Sequence, residues 1–145
     1  MSIYSAEQQL GRRTPPVVLI HHAKNSIHQL MSSVPGIHSV LLASTDGFEL
    51  CSVQKDDSIQ GGKLAAVSSS ILALVQAFLG EIHFTGCQSM TLEAENGKAI
   101  IAAVNAKNHP MLLVVITGKS VLLGHLLHSL KACTAELASH DQTYG

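Results

Sequence analysis

Apolar positions along the chain recur at two alternating spacings. From Val17, VVLIHHAKNSIHQLMSSV places Leu19, Ile20, Ile27, Leu30 and Met31 at mostly helical spacing. Pro15-Pro16 suits a helix start, because proline's fixed φ fits the first turn, and Pro35-Gly36 stops the helix. IHSVLLAST and FELCSV then flank Asp46-Gly47. An Asp-Gly pair between apolar runs favours a tight hairpin, since glycine accepts positive φ freely. QKDDSIQGG reads as a loop and KLAAVSSSILALVQAFLGEIH as a second helix. CQSMTLEAE and KAIIAAV flank Asn96-Gly97, a second hairpin with the same turn logic. After the loop NAKNHP, MLLVVIT reads as a fifth strand and SVLLGHLLHSLKACTAELASH as a third helix.

The predicted order is α-β-β-α-β-β-β-α. Hairpins and a short strand-to-strand loop mean antiparallel pairing, not parallel crossovers. The fold class is therefore α+β: a five-stranded antiparallel sheet with helices on both faces. A chain of 145 residues fits one domain. Residues 1–14 are polar and read as a flexible arm, 15–139 as the domain, and 140–145 as a polar tail.

The second helix is unusually dry: no charged side chain lies between Lys63 and Glu81. At about 100° per residue, Leu64, Val67, Ile71, Leu74, Val75, Phe78 and Ile82 share one bulky face, extended by Leu72 and Leu79. Ala66, Ser70, Ala73 and Ala77 form the opposite arc, with Ser69 and Gly80 beside it. The expectation is that the bulky face packs on the sheet and the small-residue face meets another backbone. A second copy of the same helix is the simplest partner, since most soluble oligomers are symmetric dimers.

Composition sharpens this. Hydrophobic residues make up 46% of the chain and charged ones 13%, so some apolar surface is expected to be covered by another chain. Nine basic against ten acidic residues leave no electrostatic footprint for nucleic acid or an anionic membrane. Scarce aromatics argue against base stacking. Cys51, Cys87 and Cys133 are odd in number and far apart, which fits a reducing cytoplasm rather than a disulfide framework. The first residues lack a signal-peptide core. The apolar run Leu64–Leu79 holds three serines and a glutamine and is shorter than the roughly 20 residues of a bilayer span, so no membrane insertion is expected.

Candidate chemistry is thin. VVITGKSVLLGHLL, Val114 to Leu127, sets Gly118-Lys119-Ser120 between a strand and a helix, as a phosphate loop does. That loop needs an earlier glycine at 113 and four wrapping residues. Leu113 stands there, and Val114, Val115, Ile116 and Thr117 are strand residues. The plain reading is a short β–α turn with Thr117 or Ser120 near the helix N-cap. Histidines 21, 22 and 28 on the first helix and 125 and 128 on the third lack a carboxylate or cysteine at ligand spacing, and no H-E-x-x-H occurs. The cysteines read as packing residues. Glu93 and Glu95 alternate on one solvated strand face, and no carboxylate pair suggests acid–base work. No metal, cofactor or catalytic residue is expected.

The ordered set of motifs resembles the roadblock/dynein light-chain domain, and most of all its bacterial MglB-like branch. VPGIHSVLLASTDGFELCSV at Val34 to Val53 looks like the family's proline-glycine, strand, Asp-Gly turn and second strand. The Ala/Ser-rich LAAVSSSILAL, the Asn96-Gly97 hairpin, MLLVVIT and a helix entered through Leu123-Gly124 follow in the family's order, over residues 20 to 137. The resemblance implies a homodimer, or a heterodimer with a related chain, with paired second helices and one sheet continued between subunits. It also implies a Ras-like small GTPase as partner, whose activity or localisation the dimer modulates without a catalytic residue of its own. By position, the implied dimer and GTPase face draws on Ala66, Ser69, Ser70, Ala73, Gln76 and Ala77. The sheet-continuing strand runs through Cys87, Ser89 and Thr91.

The chain's only arginines, Arg12 and Arg13, fall in the arm, so stimulation through an arginine finger is not expected from the domain. Two other classes compete: a small-ligand sensor or general dimeric adaptor without a GTPase partner, and an enzyme. The first is weakened by few pocket aromatics and the second by the missing constellation.

Overall fold

The computed structural model describes residues 14–145; the expected arm lies outside them except for Thr14. The elements are α1 (Val17–Ser33), β1 (Ile37–Ser44), β2 (Glu49–Gln54), α2 (Gly61–Glu81), β3 (Ser89–Ala94), β4 (Gly97–Val104), β5 (Met111–Gly118) and α3 (Leu123–Tyr144). The MLLVVIT run becomes the central strand. It is apolar at successive positions because both of its faces are covered. The sheet order is β2-β1-β5-β4-β3, and every pairing is antiparallel. The expected α+β architecture and element order are as observed.

Period-two alternation sorts side chains between two cores. Val40, Leu42, Ile100, Leu113 and Val115 face α1 and α3, meeting Ile27, Leu30, Leu126 and Leu130. Leu41, Ile101, Leu112 and Val114 face the other way, meeting Ala65 and Leu72 of α2. Helices α1 and α3 run antiparallel: His125 Nε2 lies 2.9 Å from the carbonyl of Ser33 at one end. The His22 and Tyr144 rings stack 4.3 Å apart at the other.

The two hairpins use glycine for different reasons. At β1–β2, the Gly47 N–H donates to Ser44 O (3.0 Å) and Ser44 N–H to Phe48 O (2.9 Å). Gly47 has φ +95°. This is a three-residue loop closed by a left-handed glycine, as the Asp-Gly pair predicts. At β3–β4, Ala94 pairs with Gly97 around Glu95-Asn96, and none of these has positive φ. Here the turn logic differs from expectation: Gly97 is required by space. A Cβ on it would meet the Thr117 carbonyl of the neighbouring strand β5.

A second difference is at the C-terminus. Residues 140–145 do not form a tail; α3 continues through Tyr144. Asp141, though charged, is 1% exposed. Its Oδ2 accepts the Asn108 N–H (2.9 Å), its carbonyl accepts Asn108 Nδ2 (3.1 Å), and Oδ1 lies 3.0 Å from His109 Nδ1. The carboxylate thus clasps the end of α3 to the β4–β5 loop, so its polarity reflects burial with partners rather than solvation.

Candidate functional site

Helix α2 lies on the sheet through an arc of small and medium side chains. Ala65, Ser68 and Leu72 are its buried residues, flanked by half-buried Leu64, Ile71, Val75 and Leu79. The bulky face expected to meet the sheet is only partly used. Val67 is 49% exposed, Leu74 71%, Phe78 64% and Ile82 43%. The reason is geometric. Including Leu72 and Leu79, the apolar arc spans about 160°, wider than the roughly 100° stripe that one sheet covers. That breadth is the sequence signal for these exposed anchors, which an assignment of faces by periodicity alone misses.

The small-residue arc is where periodicity places it. Ala66, Ser70, Ala73, Gln76 and Ala77 are exposed. Ser69 is half-buried, and its Oγ donates to the Thr45 carbonyl at 2.5 Å, holding the β1–β2 turn against the helix. A Cβ at Gly47 would lie 3.3 Å from Ala66 Cα, so the turn also abuts that residue. The arc of Ala66 and Ser69 therefore looks toward the β2 edge. Val67, Leu74 and Phe78 sit about 130° further round, on the flank toward β4 and β3. Phe48, 53% exposed, extends the β2-side arc from the turn.

Strand β3 is the other half of the site. It is an edge strand, exposed at every position except half-buried Met90. Ser89 and Thr91 are exposed. Leu92, 44% exposed, points to the α2 side, because it pairs with Ala99 and follows the parity of Met90, which packs with the α2 core. Cys87 is half-buried against that same core. Between α2 and β3, His83 stands in the left-handed region at φ 62°, with Phe84 N–H bonded to the Leu79 carbonyl (2.9 Å). This is a helix-terminating turn usually built on glycine, and it leaves Phe84 62% exposed. Uncharged apolar side chains therefore run from α2 through this turn to the sheet edge. No charged residue lies within α2 between Lys63 and Glu81.

Other candidates resolve into structural roles. Gly118 ends β5, and its N–H donates to Gly36 O (3.0 Å). Helix α3 starts at Leu123, with Leu122 as N-cap rather than Thr117 or Ser120. The joint is thus a short connection whose glycine N–H is already used, and Lys119 O accepts Lys98 Nζ (3.0 Å). No cluster of three metal-ligating side chains occurs among the described residues. Ser26 Oγ donates to Glu136 Oε1 (2.8 Å) and lies 3.2 Å from His140 Nε2. The serine is 3% exposed and the glutamate bonds it directly, so this ties α1 to α3 rather than arming a nucleophile. Burial pushes the Cys51 thiol up to about 11 and that of Cys133 up to about 12. Both are protonated packing residues at neutral pH. A groove of about 400 Å³ runs between α3 and the β3–β4 edge, lined by Ala102, Leu127, Leu130 and Lys131; none of its polar lining residues is buried. Helix α2, at 21 residues, is long and apolar enough to cross a membrane by length and composition, which the shorter run read from sequence is not. In this fold, however, it carries one wall of the second core.

Comparison with known proteins matches the chain to one family model, that of the Roadblock/LC7 domain, over residues 24–117. No curated protein matches significantly by sequence. Among solved structures, MglB in a tetrameric arrangement has a TM-score of 0.80 at 16% identity, over 90% of this chain and 95% of that one. Myxococcus xanthus MglB has 0.79 at 17%, over 87% and 92%. The gliding protein MglB of Thermus thermophilus has 0.77 at 16%, over 88% and 94%. These likenesses are of fold, and the family model spans more than half of the sequence: the chain belongs to the Roadblock/LC7 domain family.

Proposed function

We propose that this chain is a non-enzymatic, dimeric regulator or scaffold of a Ras-like small GTPase, acting in the cytoplasm. The observation that carries the reading is the uncharged, exposed flank of α2, with Val67, Leu74 and Phe78 outward. Water-exposed apolar surface of this kind marks an interface, and aromatic anchors are what interface centres favour. A second copy would cover that flank together with the β3 edge; the tetrameric arrangement of a similarly folded MglB supports self-association. The β2-side arc, with Ala66, Ser69, Ser70, Ala73, Gln76 and Ala77, would then stay open beside Phe48. That is where the GTPase docks in this reading.

The ligand-sensor alternative would use the groove beside α3. With no buried polar group to orient a ligand, the groove is the weaker candidate.

The direct test is binding of a Ras-like GTPase encoded in the same genome, loaded with GDP or a non-hydrolysable GTP analogue. The expected outcome is a nucleotide-dependent complex at micromolar concentration, weakened at least tenfold by Phe48→Ala or Ala73→Arg. The absence of any complex at tens of micromolar in either state would overturn the GTPase reading. Stimulated hydrolysis, if measured, should survive replacement of Arg12 and Arg13 by alanine. A collapse of the rate with binding intact would instead give the arm a transition-state role.

A further inference from the structure

Three imidazoles meet on the seam between the first two turns of α1 and the last turns of α3. His22 lies flat on the Tyr144 ring, with centroids 4.3 Å apart and planes 7° apart. Its other ring neighbours are His140, at 5.2 Å between centroids, and His21, at 5.8 Å. His140 reaches deeper: Nε2 lies 3.2 Å from Ser26 Oγ and 3.5 Å from Glu136 Oε1. Ser26 Oγ donates its own hydrogen to Glu136 Oε1 at 2.8 Å. The serine oxygen is therefore the acceptor, and His140 Nε2 is the donor to it.

We propose that this seam is an acid-released contact: protons on His22 and His140 together free the end of α3 that carries Tyr144. The charges around the rings set the direction. Among the described residues, the carboxylate in contact with the rings is that of Glu136. Asp141, next to His140, turns instead to Asn108 and His109 of the β4–β5 loop. Lys24, two residues after His22, acts on Cys51 of β2.

With the rings neutral, flat contacts hold the seam. One proton on His140 is matched by Glu136. A second, on His22, stands beside the first without a matching carboxylate among the described residues, and one on His21 adds a third positive charge. Like charges this close repel, and a charged ring regains its hydration when the seam parts. Attraction between a charged His22 and the Tyr144 face opposes release, but it is one contact against two repulsions. The open form thus binds more protons than the closed one, so acid favours opening and neutral pH favours closure. The clasp at Asp141 is not undone by the same protons. There His109 Nδ1 faces a carboxylate oxygen at 3.0 Å, and a charged ring strengthens that bond. Release therefore begins beyond Asp141.

Nuclear magnetic resonance of the full chain tests this, through the cross-relaxation between ring protons of residue 22 and Tyr144. That signal should be present at pH 7.5 and lost at pH 5.5, a span over which imidazoles take up protons. The Asn108 amide, held by Asp141, should stay protected from hydrogen exchange at both. His22→Phe keeps a flat ring that cannot charge, and His140→Gln keeps a donor for Ser26; in each, the ring contact should survive at pH 5.5. Glu136→Gln removes the matching charge but leaves an acceptor for Ser26, so the loss should begin nearer neutral pH. A contact that persists at pH 5.5 in the unaltered chain overturns the proposal. So does an equal loss in His22→Phe or His140→Gln, or an unmoved midpoint in Glu136→Gln. Loss of Asn108 protection together with the ring contact also overturns it, because the whole fold is then yielding. Should His22→Phe fail to fold, His140→Gln decides.

Discussion

At the scale of single residues, one carboxylate and two thiols are taken up by the core, while most charged side chains face solvent. Asp141 is buried with its oxygens on Asn108 and His109. Asp141→Ala strands the Asn108 N–H and should lower unfolding free energy by roughly 2–3 kcal/mol, read from urea denaturation. A loss under about 0.5 kcal/mol would show that the clasp holds nothing. The thiols give a second expectation. Cys51 and Cys133 are raised chiefly by burial, opposed at Cys51 by Lys24 and reinforced at Cys133 by Glu136. Above pH 9, the ordinary thiol value used as reference, the unfolded chain releases protons that the folded chain keeps. Their contribution to stability is therefore full below that pH and is lost as pH rises through about 11 and about 12. Cys133→Ser should flatten the alkaline fall in stability. Titration with a thiol reagent at pH 8 should find at most one fast group, Cys87, and three after unfolding.

At the scale of elements, α2 divides its residues between core and surface in a way that two substitutions separate. Leu72 is 3% exposed and Leu74 71%. Leu72→Ala should cost about 2–5 kcal/mol of stability through the cavity it leaves. Leu74→Arg should leave the far-ultraviolet circular dichroism unchanged and halve the mass in solution. If instead Leu74→Arg unfolds the chain, the flank is a core and not an interface. Element order and helix count were legible because Asp46-Gly47 and Asn96-Gly97 punctuate short apolar runs while VSSSILALV carries helical spacing; the strand order of the sheet was not. Nor was the arc of α2 that meets the sheet. Periodicity gives the width of an apolar arc, but the packing of Ala65 and Leu72 with Leu41 and Ile101 chooses its centre. The end of α3 was hidden for a related reason: DQTY reads as solvated until the β4–β5 loop supplies partners for Asp141. Asn96-Gly97 marked the right turn, but Gly97 answers to Thr117 on β5, a neighbour that local sequence does not show.

At the scale of the whole molecule, the two halves of the sheet are unequally finished. Helices α1 and α3 cover one face. On the other, α2 covers β1 and β2 more than β3 and leaves an apolar flank beside an open edge. In the proposed dimer a second copy would finish both at once. The measurement that bears most directly on this account is the mass in solution at micromolar concentration, by size-exclusion chromatography with light scattering. The account predicts twice the 15.3 kDa of the chain, falling to 15.3 kDa for Leu74→Arg. A monomer for the unaltered chain, or a dimer that Leu74→Arg does not disturb, would contradict it.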